Sequence, residues 1–199
     1  MIVTTYETSR SAIGIIDMAN DFVTGSLAND RARRIIPNIK RLTDAARMYG
    51  TPVIYLTDAH SPNDLEFRKW PPHAIKGTWG AGIIDELAPA KGDYVIEKTT
   101  YSAFFETGLD TMLKDLGVGR VIITGQHTNI CDRHTAADAF FRGYKIAIVP
   151  DATEISAVVF PNKDPEKVQQ DAIEYIQTIY GAEVKTVDEI IAEMKKPKI

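Results

Sequence analysis

The stretch RVIITGQHTNICDRHTAADAFFR, residues 120–142, decides the fold. Its apolar run from Val121 to Thr124 predicts a buried strand, Gly125 follows in a turn, and the residues from Cys131 to Phe140 predict a helix. A thiol at the start of a helix lies at the positive end of the helix dipole, which favours the thiolate and makes a better nucleophile. A lone cysteine is more often a small buried apolar residue. Its position between a strand and a helix favours a functional role here.

The rest of the chain repeats this alternation of strand and helix. Short apolar runs predict central parallel strands, and apolar residues at helical spacing predict helices between them. The predicted strands are residues 12–16, 52–57, 94–97, 121–124, 145–149 and 183–186, and the predicted helices are residues 33–49, 108–116, 131–140, 165–180 and 187–195. This pattern predicts a single α/β domain over residues 1–199. We expect a doubly wound, Rossmann-like sheet of six parallel strands with helices on both faces.

Length, charge and composition exclude several classes of protein. The chain has 199 residues, of which 44% are hydrophobic and 25% charged, and this suits one compact domain. The net charge is −4 and the basic residues are dispersed, so there is no basic patch for nucleic acid. No segment approaches the ~20 apolar residues that cross a bilayer, and one cysteine cannot form an internal disulfide. We therefore predict a cytoplasmic protein that binds neither nucleic acid nor membrane.

Polar residues follow several of the predicted strands. Asp17, Asp58, Lys98 and Cys131 each lie at or just after the C-terminal end of a different strand. Parallel α/β sheets bind ligands at this edge, so the topology should bring the four side chains together. Strand ends are generally polar, however, and this pattern alone leaves a shared active site and a chance grouping equally open.

Three segments resemble the isochorismatase-like cysteine hydrolases, which include nicotinamidases and N-carbamoylsarcosine amidases. They are GIIDMANDF (residues 14–22), EKTTYSAFFETGLDTML (97–113) and ITGQHTNICDRHTAADAFFRGYKIAIVPDA (123–152). The similarity extends over essentially the whole chain and includes the tail YGAEVKTVDEII (180–191). The resemblance implies a catalytic triad of Asp17, Lys98 and Cys131.

The chemistry of these three residue types suits the cleavage of an amide. The ammonium of Lys98 would favour the thiolate of Cys131. Asp17 could take the thiol proton and later protonate the departing amine. A covalent acyl-enzyme would form, and water would then cleave it. The alternative is that Asp17 and Lys98 form an ordinary ion pair at the edge of the sheet.

The resemblance also implies an oxyanion hole, and residues in and near the motifs suggest a small pocket. The backbone N–H groups of His127 and Cys131 would be the donors that stabilise the oxyanion, with a cis peptide bond between Gln126 and His127. Aromatic residues near the motifs could line the pocket, although most aromatics at such positions belong to the core. The candidates are Asn20, Phe22, Trp70, Trp79, Tyr101 and Phe104.

A metal site is predicted beside a long loop, residues 59–82, that shows little periodicity. Asp58, His60 and His73 supply a carboxylate and two imidazoles, which suit zinc or a similar divalent ion. The Asp-x-His pattern alone is weak, but the resemblance to nicotinamidases places metal ligands at these positions. Some of those enzymes have a third histidine where this chain has Glu66, which is therefore either a ligand or leaves a site for water. The alternative is two loop histidines that are hydrogen-bonded or face solvent.

Together these residues predict a cysteine-dependent amidohydrolase that cleaves the C–N bond of a small amide. Nicotinamide is the first candidate substrate and an N-carbamoyl amide the second, and a metal could orient either by binding a heteroatom. Isochorismatase-type members lack this metal set, so Asp58, His60 and His73 favour an amidase over a vinyl-ether hydrolase. That hydrolase and a non-catalytic metal-binding or interaction protein remain the alternatives. Because relatives are commonly oligomers, we also expect a homo-oligomer.

Overall fold

The computed structural model describes residues 10–156 and 159–195. Its strands are β1 (Ser11–Ile16), β2 (Val53–Asp58), β3 (Tyr94–Lys98), β4 (Arg120–Gln126), β5 (Lys145–Glu154) and β6 (Glu183–Val184). Its α-helices are α1 (Asn20–Val23), α2 (Ala32–Met48), α3 (Leu109–Asp115), α4 (Arg133–Phe141), α5 (Pro165–Tyr180) and α6 (Val187–Met194), and a π-helical turn (Thr128–Asp132) precedes α4. The strands form one parallel sheet in the order β3-β2-β1-β4-β5-β6, which confirms the predicted α/β fold. Within the described ranges, every helix is too short or too polar to span a bilayer.

Helices cover both faces of the sheet. In β1, Ala12 and Ile16 pack into the core formed with α3, α4 and α5, whereas Ile13 and Ile15 pack into the core formed with α2 and α6. Successive side chains of a strand point to opposite faces, so a strand covered on both faces needs apolar residues throughout. This is why short, uninterrupted apolar runs identified the central strands in the sequence.

The last two strands differ from their predicted lengths. β5 continues to Glu154 because its register against β4 shifts between Ile123 and Gly125. Pro150 lies in the irregular segment opposite this shift, where the missing backbone donor costs no ladder hydrogen bond. β6 is reduced to Glu183–Val184, and both residues are exposed at the edge of the sheet. A short edge strand offers little surface for pairing with another chain.

Gly125 allows β4 to approach β1 closely at the edge of the sheet. It pairs with Ile16 and has a φ of 108°. A Cβ atom at this position would lie 2.0 Å from the carbonyl oxygen of Ile16, which is far inside van der Waals contact. Any side chain at this position would therefore push apart the two strands that lead into Asp17 and His127.

We expect Gly125→Ala to lower the free energy of unfolding by about 3 kcal/mol or more, because backbone strain and overpacking act together. Gly92→Ala is the matched control, because Gly92 has a similar φ of 100° but open space where its Cβ would lie. The control should lose only about 1 kcal/mol from strain. Urea denaturation of both variants measures the difference. Equal losses of stability in the two variants would show that the close approach of β1 and β4 at Gly125 adds nothing to the cost of backbone strain.

Candidate active site

Asp17, Lys98 and Cys131 meet at the C-terminal edge of the sheet, beside the point where the strand order reverses between β1 and β4. Asp17 follows β1, Lys98 ends β3, and Cys131 lies in the π-helical turn after β4. Nζ of Lys98 is 2.8 Å from Oδ2 of Asp17, and the Cys131 thiol shares a hydrogen bond with the Asp17 carboxyl group. Their exposures are 0% for Asp17, 1% for Lys98 and 4% for Cys131. The structure therefore brings the three predicted residues into one buried cluster.

Asp58 is a fourth member of this cluster. Its Oδ1 atom is 2.5 Å from Nζ of Lys98, and its backbone N–H donates a 2.9 Å hydrogen bond to Oδ1 of Asp17. The sequence placed Asp58 at the same edge of the sheet and assigned it to the metal site, but its contact with Lys98 was not predicted. The contact arises because Asp58 and Lys98 are paired residues in the register of β2 and β3. The pairing of residues between β2 and β3 could not be read from the sequence. The sequence did show two residues of opposite charge at the ends of two strands, which is a signal for an ion pair between them.

The charges in the cluster decide the protonation state of the thiol. Burial, and then the charge of Asp58, raises the pKa of Asp17 to about 6. Burial alone would lower the pKa of Lys98, but the two carboxylates outweigh burial and raise it well above its ordinary value. Burial raises the pKa of Cys131 well above its ordinary value, and Lys98 opposes that rise only in part. At neutral pH the sulfur is therefore a thiol and the lysine an ammonium.

The expected lowering of the Cys131 pKa by Lys98 is therefore outweighed by burial. The ammonium of Lys98 is already paired with two carboxylates, so its field at the sulfur is largely neutralised. Cys131 also lies within a π-helical turn instead of at the first turn of a regular helix, where a helix dipole would act most strongly. Asp17 is the group in contact with this thiol and is placed to take its proton.

A cavity of about 220 Å³ opens beside Cys131. Phe22, Trp70 and Tyr101 line it, as predicted for the pocket. The indole N–H of Trp70 donates a 2.9 Å hydrogen bond to the hydroxyl of Tyr101, so the two aromatic walls are tied together. The cavity is smaller than the pockets that hold drug-sized ligands. It suits a substrate with about one ring and an amide group.

Other predicted pocket residues lie elsewhere. Phe104 is 4% exposed and packs in the core with its ring centroid 5.8 Å from that of Tyr144. Asn20 donates a 2.8 Å hydrogen bond to the carbonyl of Trp79 and so closes a loop, while the Trp79 side chain is 65% exposed. None of the three lines the cavity. The prediction failed for Phe104 because an aromatic residue next to a motif has the same sequence signature in a core as in a pocket.

The turn that carries Cys131 starts at a cis peptide bond between Gln126 and His127. The carbonyl of His127 accepts hydrogen bonds from the N–H groups of Ile130 and Asp132, which fixes the turn. Burial lowers the pKa of the His127 imidazole to about 4, so the ring is neutral. The oxyanion hole formed by the N–H groups of His127 and Cys131 stays a prediction.

The predicted metal ligands converge on one point at the wall of the cavity. One ligand atom from each of Asp58, His60 and His73 lies within 4.8 Å of the others. Oδ2 of Asp58, the oxygen that does not face Lys98, is 3.4 Å from Nε2 of His60 and 3.9 Å from Nε2 of His73. Oε2 of Glu66 is 3.7 Å and 3.9 Å from the same two nitrogens. Both histidines are buried, so neither faces solvent.

This arrangement fits a divalent ion such as zinc. Four ligand atoms at about 2.1 Å from a tetrahedral zinc ion lie about 3.4 Å apart, and the observed separations are at or slightly above this value. Nδ1 of His73 is 2.8 Å from the carbonyl of Pro71, and Nδ1 of His60 is 3.2 Å from Oδ2 of Asp64. The Pro71 carbonyl holds a proton on Nδ1 of His73, and Asp64 lies beside Nδ1 of His60, so each Nε2 is the nitrogen that faces the predicted metal position.

Asp132, the residue after Cys131, is a buried carboxyl group that the predicted chemistry does not use. It is 0% exposed, and neither carboxyl oxygen has a hydrogen-bond partner among the described residues. Burial, and then the charge of Asp17, raises its pKa well above the ordinary value. An unfolded aspartate titrates near about 3.9, so the folded state binds more protons than the unfolded state above that pH. Folding stability therefore falls as the pH rises through this interval.

We expect Asp132→Asn to raise the free energy of unfolding at about pH 7.5 and to change it little at about pH 4, because the amide does not ionise. Urea denaturation at both pH values measures the effect. Asp30→Asn is the control, since the Asp30 side chain is 99% exposed and should give a small change at either pH. A stabilisation by Asp132→Asn that is the same at both pH values would contradict the assignment of a buried neutral acid.

Comparison with known proteins agrees with this site. Residues 11–189 match the Isochorismatase domain family. The structure is similar to N-carbamoylsarcosine amidase from Thermoplasma acidophilum, with a TM-score of 0.81, 39% identity and coverage of 90% of this chain and 97% of that one. It is also similar to the nicotinamidase/pyrazinamidase PncA from Bacillus subtilis, with a TM-score of 0.79, 34% identity and coverage of 88% and 98%. Ureidoacrylate amidohydrolase RutB from Yersinia enterocolitica is 32% identical over 217 aligned positions, which span 94% of this chain and 91% of that protein.

The parallel sheet and the matched domain place this protein among the isochorismatase-like hydrolases. The chain belongs to the Isochorismatase family, which confirms the resemblance found in its sequence. The three relatives named above are an amidase, a nicotinamidase and an amidohydrolase. They support amide hydrolysis as the general activity.

Proposed function

We propose that this protein hydrolyses a small uncharged amide through a covalent acyl-enzyme, with Cys131 as nucleophile. The observation that carries the proposal is the buried contact of the Cys131 thiol, in the wall of the cavity, with Asp17, which is itself paired with Lys98 at 2.8 Å. An ordinary surface ion pair would need neither the burial nor the thiol.

The reaction starts when Asp17 takes the thiol proton as the sulfur of Cys131 attacks the amide carbon. The tetrahedral intermediate then expels the amine, which receives its proton from Asp17, and a thioester remains on the sulfur. Water then gives a proton to Asp17 as its oxygen attacks the thioester carbon. The acid leaves, and the sulfur takes the proton back from Asp17, so the thiol re-forms. Lys98 stays an ammonium and stabilises the negative charge that moves between the carboxylate and the sulfur. In total, amide and water become acid and ammonia or amine.

Asp58, His60 and His73 would hold a divalent ion, with zinc the expected metal, and Glu66 would either be a further ligand or leave that position to water. When bound, the ion would supply a coordination position for a heteroatom of the substrate, such as a pyridine nitrogen. The chain's own contribution is to orient the amide between Trp70 and the thiol, since both line the cavity.

The metal proposal has its own test. We expect His60→Ala to bind less than about a tenth as much zinc as the wild type after dialysis, because removing one ligand of a buried site weakens binding strongly. Elemental analysis of the purified proteins measures this without reference to activity. His134→Ala is the control, because His134 is exposed and its Nδ1 contacts the carbonyl of Ile130. Equal metal content in wild type and His60→Ala would refute the site.

The charge of the cavity favours a neutral substrate. Asp58 and Glu66 are in its wall, whereas no lysine or arginine of the described residues lines it. A divalent ion would at most balance these two carboxylates. A substrate carboxylate would therefore have no spare cation to pair with, and burying an unpaired charge is costly. Nicotinamide has no such charge and fits the size of the cavity, so it is the first candidate.

An N-carbamoyl amide is the second candidate. It is favoured by the 39% identity to N-carbamoylsarcosine amidase, which exceeds the 34% identity to PncA. Release of ammonia from nicotinamide, N-carbamoylsarcosine and ureidoacrylate distinguishes the two, because the last two carry a carboxylate. We expect nicotinamide to have the highest kcat/KM. Turnover of only the carboxylate-bearing compounds would overturn the neutral-substrate proposal, and turnover of none would overturn amide hydrolysis.

A further inference from the structure

Gln126 joins several parts of the site through its side chain. It is the last residue of β4 and is 0% exposed. Its Nε2 atom donates a 3.0 Å hydrogen bond to the backbone carbonyl of Asp17 and a longer one, 3.5 Å, to the carbonyl of Phe22. Both acceptors are backbone atoms of segments that form the site. The amide group of Gln126 therefore connects the end of β4 to two other segments. One carries the proposed base, Asp17, and the other carries Phe22 in the cavity wall.

A second buried amide fixes the orientation of the first. Nδ2 of Asn29 donates a 3.1 Å hydrogen bond to Oε1 of Gln126 and a 2.9 Å hydrogen bond to the carbonyl of Ile155. Oδ1 of Asn29 accepts from the N–H of Arg31 at 3.2 Å. With its oxygen held by Asn29, the Gln126 amide must direct its N–H groups at Asp17 and Phe22.

Asp17 needs such support because its backbone is in an uncommon conformation. Its φ is 50°, in the left-handed region that non-glycine residues rarely occupy. Its side chain is fixed by Lys98 and by the N–H of Asp58. The hydrogen bond from Gln126 fixes the other side of the residue, at the carbonyl. Gln126 does not line the cavity, so any effect it has on the reaction must pass through these neighbours.

We propose that Gln126 is a positioning residue for the amide hydrolysis, and that it holds Asp17 in register with the turn that carries Cys131. The proposal rests on the proposed function, since it assumes that Asp17 exchanges a proton with Cys131. Removing both Gln126 donors should leave the cavity and its walls in place but shift the carboxylate relative to the thiol. Misplacement of a catalytic group by about 1 Å can cost about 100-fold in rate.

The test compares Gln126→Met with Gln169→Met on the amide that the wild type hydrolyses best. Gln169 is the matched control, because its Nε2 also donates two hydrogen bonds, at 3.0 Å and 3.3 Å, but both go to Thr153. We expect Gln126→Met to lower kcat about 10- to 100-fold while KM changes by less than about threefold. Gln169→Met should keep kcat within about twofold of the wild type. Melting temperatures of both variants show how far each is destabilised.

The outcomes separate this inference from the proposed function. A wild-type kcat in Gln126→Met, with Cys131→Ala inactive, would overturn the positioning role alone. Equal losses of kcat in both methionine variants would also overturn it, because they would reflect general destabilisation. No hydrolysis by the wild type, or full activity of Cys131→Ala, would overturn the proposed function and this inference with it. If Gln126→Met does not fold, Gln126→Glu keeps the shape and the acceptor for Asn29, replaces the two N–H donors by a carboxyl group that can donate at most one hydrogen bond, and should also lower kcat.

Discussion

Lys98→Met is expected to lower the free energy of unfolding by about 3–5 kcal/mol and to remove amide hydrolysis. Nζ of Lys98 lies between the carboxylates of Asp17 and Asp58, at 2.8 Å and 2.5 Å. All three side chains are at most 4% exposed. Without the ammonium, two buried carboxylates face each other with no counterion, and this is the costly half of a broken buried ion pair. Urea denaturation and an ammonia-release assay measure the two effects.

Two further variants make this result specific. Lys76→Met removes an ion pair with Glu97 whose side chains are 65% and 49% exposed, so it should cost no more than about 1 kcal/mol. Adding Asp58→Asn to Lys98→Met removes one of the stranded charges. The double variant should regain part of the stability but none of the activity. If Lys98→Met is no less stable than Lys76→Met, the description of a charged buried cluster is wrong.

Cys131→Ala should lower kcat by about 10⁴-fold or more while the protein stays folded. Loss of the nucleophile in a hydrolase that works through an acyl-enzyme removes most of the rate enhancement. Alanine is small and apolar, and Cys131 already belongs to the apolar core with 4% exposure. The melting temperature should therefore change much less than the activity does.

Ser156→Ala is the matched control for the nucleophile. Ser156 is a small polar residue that lines the same cavity and is 2% exposed. Its replacement should reduce kcat by less than about tenfold, since neutral hydrogen bonds contribute about 1 kcal/mol. Measurable turnover by Cys131→Ala at close to the wild-type rate would mean that the amide is cleaved by another group.

The strand and helix pattern could be predicted from the sequence because both faces of the sheet are covered. Central strands, such as the run of residues 12–16, then consist of apolar residues and glycine, and helices between them show one apolar stripe. The length of β5 was missed because its extension to Glu154 depends on a register shift against β4. A register shift depends on how two strands pair, so the sequence of either strand alone does not reveal it.

The candidate site could also be predicted only in part. Topology placed Asp17, Lys98 and Cys131 at one edge of the sheet, and the resemblance to the isochorismatase-like hydrolases singled them out as a triad. The state of the thiol did not follow, because it depends on how deeply Cys131 is buried and on how many carboxylates surround Lys98. The tie from Gln126 to the carbonyl of Asp17 was equally invisible, since it joins residues 109 positions apart.

Two parts of the fold contribute residues to the site. The residues proposed to react lie at the ends of strands or in the turn after β4, whereas Glu66, Trp70 and Pro71 in the cavity wall come from the connection between β2 and β3. Substitutions in that connection can alter which molecule fits without moving the atoms that break the bond. Over evolution, such a division lets duplicated genes acquire new substrates while the reaction itself is inherited. The same connection is where a laboratory library aimed at changing specificity should be concentrated.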